Sequence, residues 1–225
     1  MTYELSPATI NLMLECKRCF WLQLVKKIKR PSMHFPSLPS GMDRILKKHF
    51  DKFMEKGELP PEIREYGLRN GYKLFDDKVK LEAWRDIQKG IRYKDKESGV
   101  LLKGAIDNLL KKGRKLVVLD YKTRGYPTKE DTHKYYQVQM DIYNFLLRKN
   151  GYETENYAYL LFYCPKEITE TGEVIFDTEL RKIPTNAERG EKVFKKAIEI
   201  LSGPMPEPSE NCEFCKWRKN IALRV

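Results

Sequence analysis

The sequence predicts an α/β (α+β) fold in which helices flank a mixed β-sheet, and three observations support this prediction. Segments with the apolar spacing of amphipathic helices alternate with shorter strand-like runs. The order is helices, strands, helix, strands, helix, which is typical of helices packed on a sheet. With 41% hydrophobic and 33% charged residues, the chain has neither the composition of a disordered protein nor that of a membrane protein.

The length and charge of the chain limit its organisation and its partners. A chain of 225 residues can bury one core, so we expect residues 1–225 to form a single domain. The longest apolar run, Tyr157 to Cys164, is far shorter than the roughly 18 residues that span a bilayer. The first residues lack a secretion signal, so we expect a cytoplasmic protein without membrane contact. The net charge of +11 suits a polyanion such as nucleic acid, and a merely solvated basic surface is the alternative.

The first predicted helix begins at Ser6. Serine is a favoured N-cap, and Pro7 suits the first helical turn, where its missing N–H costs nothing. Cys16 and Cys19 lie near the end of this helix, at positions i and i+3. A loop rich in proline and serine, from Pro31 to Pro39, separates it from the next helix.

The second predicted helix begins with a capping box formed by Ser40 and Asp43. Farther along, between about Pro61 and Leu81, the helical pattern is weak. We expect one apolar stripe of the second helix to face inward, and its members are Met42, Ile45, Leu46, His49 and Phe53.

From about Ile87 the pattern changes to strands, which end in a β-hairpin. Its two runs are Leu101 to Leu110 and Lys115 to Lys122, and residues 111–114 form the connection. A helix, two strands and a last helix follow, and a capping box marks each helix start. The boxes are Thr128 with Asp131 and Thr185 with Glu188, the helices end at Asn150-Gly151 and Gly203-Pro204, and the strands run from Tyr157 to Cys164 and from Glu173 to Lys182.

Two aspartates and a lysine in the hairpin indicate a metal site. If Leu110 pairs with Lys115, Asp107 becomes a diagonal neighbour of Asp120, on the same face as Lys122. Two converging carboxylates bind a hard cation such as Mg²⁺ or Mn²⁺, which can activate water and stabilise charge on a phosphate. Lys122 can orient the nucleophile or neutralise the phosphate. These parts match hydrolysis of a phosphodiester.

The alternative is that these aspartates are exposed surface charges paired with the lysine. Their neighbours argue against it, because Asp107 lies between Ile106 and, after one residue, Leu109. Asp120 ends an apolar run, residues 116–119, that is typical of a buried strand. Charged residues at the end of a buried strand indicate a functional site.

Three motifs occur in a fixed order, namely Gly104-Ala105-Ile106-Asp107, Asp120-Tyr121-Lys122 and Gln139-Met140-Asp141-Ile142-Tyr143. In this order they resemble the PD-(D/E)XK nuclease superfamily, in its RecB-like branch. The resemblance implies a restriction-endonuclease-like mixed sheet flanked by helices. Ile106 stands where the superfamily has proline, and the second acid is Asp120 rather than the commoner glutamate. Neither difference removes a ligand oxygen.

The same resemblance implies roles for residues outside the hairpin. His49, on an upstream helix, would be an additional metal ligand beside Asp107 and Asp120. Gln139 and Tyr143 would contact the lysine, the water or the DNA backbone. Without the resemblance, His49 would be interpreted as a core histidine, and the other two as a pair on a helix surface.

Two cysteine pairs with the same spacing flank this region, Cys16 with Cys19 and Cys212 with Cys215. Together they predict a four-cysteine site joining residues 1–30 to residues 204–225, since a reducing cytosol disfavours disulfides. Some RecB-like nucleases, including the CRISPR adaptation nucleases, hold a [4Fe–4S] cluster with cysteines that flank the nuclease core, and the resemblance implies such a cluster here. That pattern has one cysteine before the core and three after it, whereas this chain has two and two. Tetrahedral zinc and unligated thiols are the alternatives, and Cys164 is expected in the core.

Aromatic and basic residues surround the cysteine pairs. Interleaved aromatics and cations suit single-stranded nucleic acid, because bases stack and phosphates pair with charge. Alternatively, Phe20, Trp21 and Trp217 pack around the metal site. The basic residues are Arg18, Lys26, Lys27, Lys29, Arg30, Lys216, Arg218 and Lys219.

The sequence thus predicts a Mg²⁺- or Mn²⁺-dependent deoxyribonuclease that acts on DNA ends or single strands. Two alternatives remain at this stage. One is a nuclease-fold protein that binds nucleic acid without cutting it. The other is a zinc-stapled module that recruits a protein partner.

Overall fold

The computed structural model describes residues 3–31, 37–68 and 71–222, and places helices against two mixed β-sheets. The predicted fold class is confirmed, with two sheets in place of one. The five-stranded sheet has the order β2-β5-β6-β7-β8, and the three-stranded sheet has the order β1-β4-β3. The strands are β1 (Glu4–Leu5), β2 (Tyr72–Leu74), β3 (Ile91–Lys94), β4 (Leu101–Gly104), β5 (Asn108–Lys112), β6 (Lys115–Thr123), β7 (Tyr157–Ile168) and β8 (Val174–Pro184).

The helices come before, between and after these strands. A 3₁₀-helix, Thr132–Tyr136, leads directly into the helix that follows β6. No described helix is long and apolar enough to cross a membrane. The α-helices are α1 (Pro7–Glu15), α2 (Lys17–Val25), α3 (Ser37–Lys56), α4 (Pro61–Arg64), α5 (Lys78–Arg85), α6 (Gln137–Lys149), α7 (Ala187–Ser202) and α8 (Glu213–Ala222).

Strand β6 lies at the centre of the larger sheet. It pairs in parallel with β7 and antiparallel with β5, and α6 lies on the connection from β6 to β7, as a parallel pair requires. Its side chains alternate between two cores. Val118 packs in the core that contains α6, whereas Leu119 and Tyr121 pack in the core that contains α3 and α4. The sheet therefore separates two sets of side chains.

The N-terminal helix begins as predicted but is shorter. The Ser6 side chain accepts a hydrogen bond from the Thr9 backbone N–H, and the Thr9 hydroxyl accepts one from the Ser6 N–H. Cys16 is extended (φ −155°) and breaks the helix, so that α2 starts at Lys17. The predicted single helix is therefore two helices, with Cys16 at the break and Cys19 in the second.

The start and the buried face of α3 differ from the prediction. The helix already includes Ser37, so Ser40 cannot be its N-cap, and residues 32–36 of the predicted loop lie outside the described residues. Leu46 is buried as expected, but Ile45 is 53% exposed and Phe50 is buried in its place. The buried residues of α3 are Met42, Leu46 and Phe50, which are four residues apart and lie on the side of the helix that packs on the sheet.

Residues 61–81, predicted to be weakly helical, contain α4 and β2, and they end inside α5. The run from Leu101 to Leu110 is not one strand. It divides into β4 and β5, which belong to different sheets, and residues 105–107 cross between them. One continuous strand and two consecutive strands in different sheets have the same apolar pattern in the sequence, so periodicity does not reveal the break.

The hairpin register differs by two residues from the prediction. Lys112 pairs with Lys115, and Gly113-Arg114 form a two-residue turn in which Gly113 has φ +58°. A positive φ at the first turn residue is typical of a type II′ turn, which favours glycine there. Because side chains alternate with a period of two, the shift leaves every side chain on its predicted face.

The predicted capping boxes of the later helices are also wrong. Thr128 bonds the side chain of Glu179, and the first helical turns after it are the 3₁₀-helix. Asn186 caps α7, while Thr185 is buried against Asn144. The predicted end of α6 is confirmed, since Gly151 follows the helix with φ +84° and its N–H bonds the Arg148 carbonyl.

Gly190 tests the contact between α6 and α7. A Cβ at this position would lie 2.6 Å from the Asp141 carbonyl oxygen, so Gly190→Ala must separate the two helices. We expect a loss of about 1–3 kcal/mol in the free energy of unfolding, measured by urea denaturation. Gly41→Ala, in α3, is the control. No atom lies within 4 Å of its Cβ, so it should be neutral or stabilising by up to about 1 kcal/mol. Equal effects of the two variants would contradict the close helix contact.

Candidate active site

Asp120 and Lys122 occupy the carboxyl end of β6, on the face that meets α6. The Asp120 side chain is only 1% exposed, and Lys122 Nζ lies 2.5 Å from its Oδ2 atom. Burial raises the pKa of Asp120 to about 7, opposed by the positive charge of Lys122 and reinforced by the negative charge of Asp107. Burial alone would lower the pKa of Lys122, but Asp120 and Asp107 outweigh it and raise that pKa.

Asp107 lies opposite Asp120. Asn108 pairs with Leu119, so the adjacent pair in this register is Asp107 with Asp120. The two aspartates therefore lie directly across from one another rather than on the diagonal. Asp107 Oδ2 accepts a hydrogen bond from the Tyr121 backbone N–H at 3.4 Å. The structure therefore gathers Asp107, Asp120 and Lys122 at one end of the strand pair.

The chain that carries Asp107 is held at each residue as it crosses between the sheets. The Tyr143 hydroxyl donates to the Ala105 carbonyl oxygen at 2.5 Å. The Ile106 N–H donates to the carbonyl oxygen of Trp84 at 3.0 Å. Arg85 Nε then donates to the Asp107 carbonyl oxygen at 2.7 Å, so α5 positions this aspartate through its backbone.

Gln139 joins these groups. Its Oε1 accepts a hydrogen bond from Lys122 Nζ at 3.2 Å. Its Nε2 donates to Asp120 Oδ1 at 3.4 Å and to the Tyr143 hydroxyl at 2.8 Å. Since both amide hydrogens and the carbonyl oxygen are used, the side chain has one orientation. Tyr143 is buried, so the two residues are not a pair on an exposed helix surface.

The structure does not bring His49 to this group. Its Nε2 lies 2.8 Å from Glu62 Oε1, and its side chain is 38% exposed. Glu62 also accepts a hydrogen bond from Tyr163, which packs in the core on the α3 and α4 side of the sheet. Asp120 faces the other side, and the sheet therefore lies between it and the imidazole.

Lys47, rather than His49, is the residue of α3 that reaches Asp107. Its Nζ lies 3.1 Å from Asp107 Oδ1 and 2.8 Å from Asp43 Oδ2. Burial alone would lower the pKa of Lys47, but the Asp107 and Asp43 carboxylates outweigh it and raise it. The spacing of Asp43 and Lys47, one helical turn apart, was visible in the sequence, but nothing there showed that this pair faces Asp107.

The donor set fits a hard divalent cation. Asp120 Oδ2 is buried and accepts no hydrogen bond of acceptable geometry from the described residues, although Lys122 is close. A buried carboxylate oxygen with a free lone pair, opposite a second carboxylate, is the ligand type that Mg²⁺ prefers. Asp107 lines a cavity of about 650 Å³, and the other residues of its wall are Asp43, Lys47, Glu82, Arg85, Asp86, Ile87 and Ala105.

The four cysteines predicted to form a site lie together. All four Sγ atoms are within 4.8 Å of one another, and this is the only group of three or more His, Cys, Asp or Glu side chains within the described ranges that could hold a metal ion. Cys19 Sγ lies 3.6 Å from the sulfurs of Cys212 and Cys215, and Cys16 Sγ lies 3.9 Å from Cys215. The group joins the N- and C-terminal segments.

Polar neighbours contact two sulfurs of this group. Arg30 Nη2 donates to Cys212 Sγ at 3.3 Å. Burial alone would raise the pKa of Cys16, but hydrogen bonds involving the Ser209 and Cys19 backbones and the neighbouring thiols lower it to about 6. Cys164 lies apart from the group, buried as expected, and its Sγ donates to the Tyr126 carbonyl oxygen at 3.4 Å.

Comparison with known proteins gives one finding. The family model described as the PD-(D/E)XK nuclease superfamily matches residues 4–219 of the chain. No curated protein matches the chain significantly. The matched segment includes the three motifs and both cysteine pairs.

Removing one hydroxyl tests the support of residues 105–107. Tyr143→Phe keeps the packing but leaves the partly buried Ala105 carbonyl and one Gln139 hydrogen without their present partner. We expect a loss of roughly 1–3 kcal/mol in the free energy of unfolding, measured by urea denaturation. Tyr135→Phe makes the same change on a side chain that is 76% exposed, and it should have no effect. If Tyr143→Phe is equally silent, this hydroxyl does not support the crossing segment.

Proposed function

Because the chain belongs to the PD-(D/E)XK nuclease superfamily, we propose that it is a metal-dependent nuclease that hydrolyses DNA phosphodiester bonds. The observation that carries the proposal is the buried carboxylate of Asp120, paired with Lys122 and lying opposite Asp107. A buried acid with a raised pKa, opposite an aspartate that lines an open cavity, is typical of a catalytic site rather than of a surface ion pair. The order of the Gln139 and Tyr143 motif supports the RecB-like branch.

In the proposed mechanism, Asp107 and Asp120 hold a Mg²⁺ or Mn²⁺ ion. When bound, the cation supplies Lewis-acid chemistry, activating a water and offsetting negative charge on the phosphate. Lys122 keeps its proton because both aspartates raise its pKa, so its ammonium can offset negative charge on a phosphate bound beside Asp107 and Asp120. Gln139 holds Lys122 and Asp120 at a constant separation by bonding both.

His49 is absent from this ligand set, because its imidazole faces Glu62. Lys47 instead lies beside Asp107 and adds positive charge to the cavity. The net charge of +11 supports a nucleic-acid substrate, and the superfamily supports DNA. We propose DNA ends or single strands as the substrate, a single domain over residues 1–225 and a cytoplasmic location. A protein partner would be an addition to this proposal, which does not require one.

The cysteine group is proposed to hold one tetrahedral metal ion such as Zn²⁺. Four thiolates at 2.3 Å from a single ion lie about 3.8 Å apart. The shortest sulfur separations in the structure, 3.6 and 3.9 Å, agree with that spacing. A [4Fe–4S] cluster, the sequence-based prediction, bonds each thiolate to a different iron and needs sulfurs farther apart. The distances therefore favour zinc over the cluster.

The catalytic assignment is tested by cleavage of labelled DNA with Mg²⁺ or Mn²⁺. Asp120→Asn and Lys122→Ala should each reduce the cleavage rate roughly 100-fold or more, because they remove charge that acts on the transition state. Both should still bind DNA, since many basic contacts share that task. Lys115→Ala is the matched control, because this lysine lies at the opposite end of β6.

His49→Ala should retain metal-dependent cleavage, unlike Asp107→Ala. Cleavage by the Asp120 or Lys122 variant at the wild-type rate would disprove the nuclease mechanism. Tight DNA binding by the wild type without any cleavage would instead support the inactive, DNA-binding alternative.

The metal is tested by measuring zinc, iron and sulfide per chain. We expect one zinc in the wild type and none in single Cys→Ala variants at positions 16, 19, 212 and 215. Each should lose roughly 4 kcal/mol or more of unfolding free energy, a loss typical of removing a structural metal. Cys164 lies outside the group, so the Cys164→Ala variant should retain its zinc and lose only roughly 1 kcal/mol of unfolding free energy. Iron and sulfide in anaerobically purified protein would show that the cluster is correct.

A further inference from the structure

A second cavity, of about 630 Å³, opens beside the cysteine group. Cys19 and Cys215 form part of its wall, with residues from α2, from the chain that follows α2 and from α8. It shares no residue with the catalytic group or with the cavity next to Asp107. The proposed nuclease mechanism therefore does not account for it.

The aromatic residues near the cysteines divide into two sets. Phe20 is fully buried, and the indole N–H of Trp21 donates to the Gly203 carbonyl oxygen, so both belong to the packing of the fold. Trp217 lines the cavity and is 63% exposed. An indole that is exposed on the wall of a cavity offers a flat face to a planar ligand.

The charged residues of the cavity are all cations. Arg18, Lys29, Arg218 and Lys219 line it, together with Arg30, and no aspartate or glutamate does. Arg30 is already paired with Glu15 and Cys212. The other four make no salt bridge to any residue in the described part of the chain. A concave surface with one sign of charge attracts an anion.

We propose that this cavity binds a segment of single-stranded DNA, with one base stacked on Trp217 and the flanking phosphates paired with Lys29 and Arg218. The proposal rests on the proposed function, because it supplies a second contact for the same substrate. An unpaired base can place its face on an indole, whereas the bases of a duplex are already stacked on one another. The combination of an exposed aromatic face with unpaired cations therefore favours a single strand over a duplex.

The cysteine group connects this surface to the fold. Trp217 follows Cys215 by two residues on α8, and Cys19 lies on α2 across the cavity. A metal ion held by the cysteines of both helices would keep the indole and the cations of α2 at a fixed separation. The site that stabilises the fold would thus also shape the DNA-binding surface.

The test measures binding of fluorescein-labelled oligothymidylate by fluorescence anisotropy, without added Mg²⁺ or Mn²⁺, so that cleavage does not consume the probe. Trp217→Ala should weaken binding roughly tenfold, whereas Trp217→Phe keeps an aromatic face and should retain most of the affinity. Binding of a duplex of equal length should change little. Zinc content and circular dichroism of each variant show that the fold is intact.

Salt dependence tests the cations independently. Lys29→Ala and Arg218→Ala should each reduce the slope of log affinity against log salt by about 0.7. Arg114→Ala, at the turn between β5 and β6, removes the same charge from a residue that does not line the cavity, and it should leave the slope unchanged.

Wild-type affinity for oligothymidylate in Trp217→Ala would overturn the proposal, and so would equal competition by an acidic peptide such as oligoglutamate. In either case, continued cleavage by the wild type would leave the nuclease assignment valid. Conversely, Trp217-dependent binding without cleavage by the wild type would reject the nuclease function and support the cavity as a DNA site.

Discussion

The arrangement of the site depends on how residues 105–107 cross from one sheet to the other. Three hydrogen bonds, one to each residue of the crossing, fix it to α5 and α6. Gly104 makes this possible, because a Cβ there would lie 2.8 Å from the Tyr143 ring. With a larger residue, the Tyr143 ring and the Leu146 side chain would have to move. The packing of a glycine against a tyrosine therefore supports the position of Asp107 opposite Asp120.

Charge balance is the second requirement of the site. A buried carboxylate is costly unless opposite charge lies close to it. Lys122, on β6, forms an ion pair with Asp120, and Lys47, on α3, forms one with Asp107. Burial nevertheless keeps the pKa of Asp120 raised to about 7 despite its lysine. A divalent cation bound between the two carboxylates would stabilise their charged forms, because it would offset the cost of burying them and the repulsion between them.

The cysteine group solves a different physical problem, that of holding the two ends of the chain together. Cys19 and Cys212 are 193 residues apart in sequence but 3.6 Å apart in space. Closing so long a loop costs more conformational entropy than closing a short one, and metal–thiolate bonds can offset that cost. The same link places Trp217 on the wall of a basic cavity. If the proposed DNA-binding surface is correct, the stability of the termini and the recognition of DNA both depend on this one group of sulfurs.

Local patterns in the sequence were sufficient for several features. The Ser6 N-cap, the end of α6 at Gly151, the alternation along β6 and the four cysteines each depend on nearby residues or on a fixed spacing. The order of the motifs identified the family, and the family model agrees over residues 4–219.

Other features were decided only by tertiary structure. The break of one apolar run into β4 and β5 depends on Tyr143 and Arg85, which are distant in sequence. Whether His49 or Lys47 meets Asp107 depends on how α3 is rotated against the sheet. The apolar stripe did not define that rotation, because Phe50 is buried where Ile45 was expected to be. Periodicity reports which residues of an element share a face, but only contacts between elements determine what that face meets.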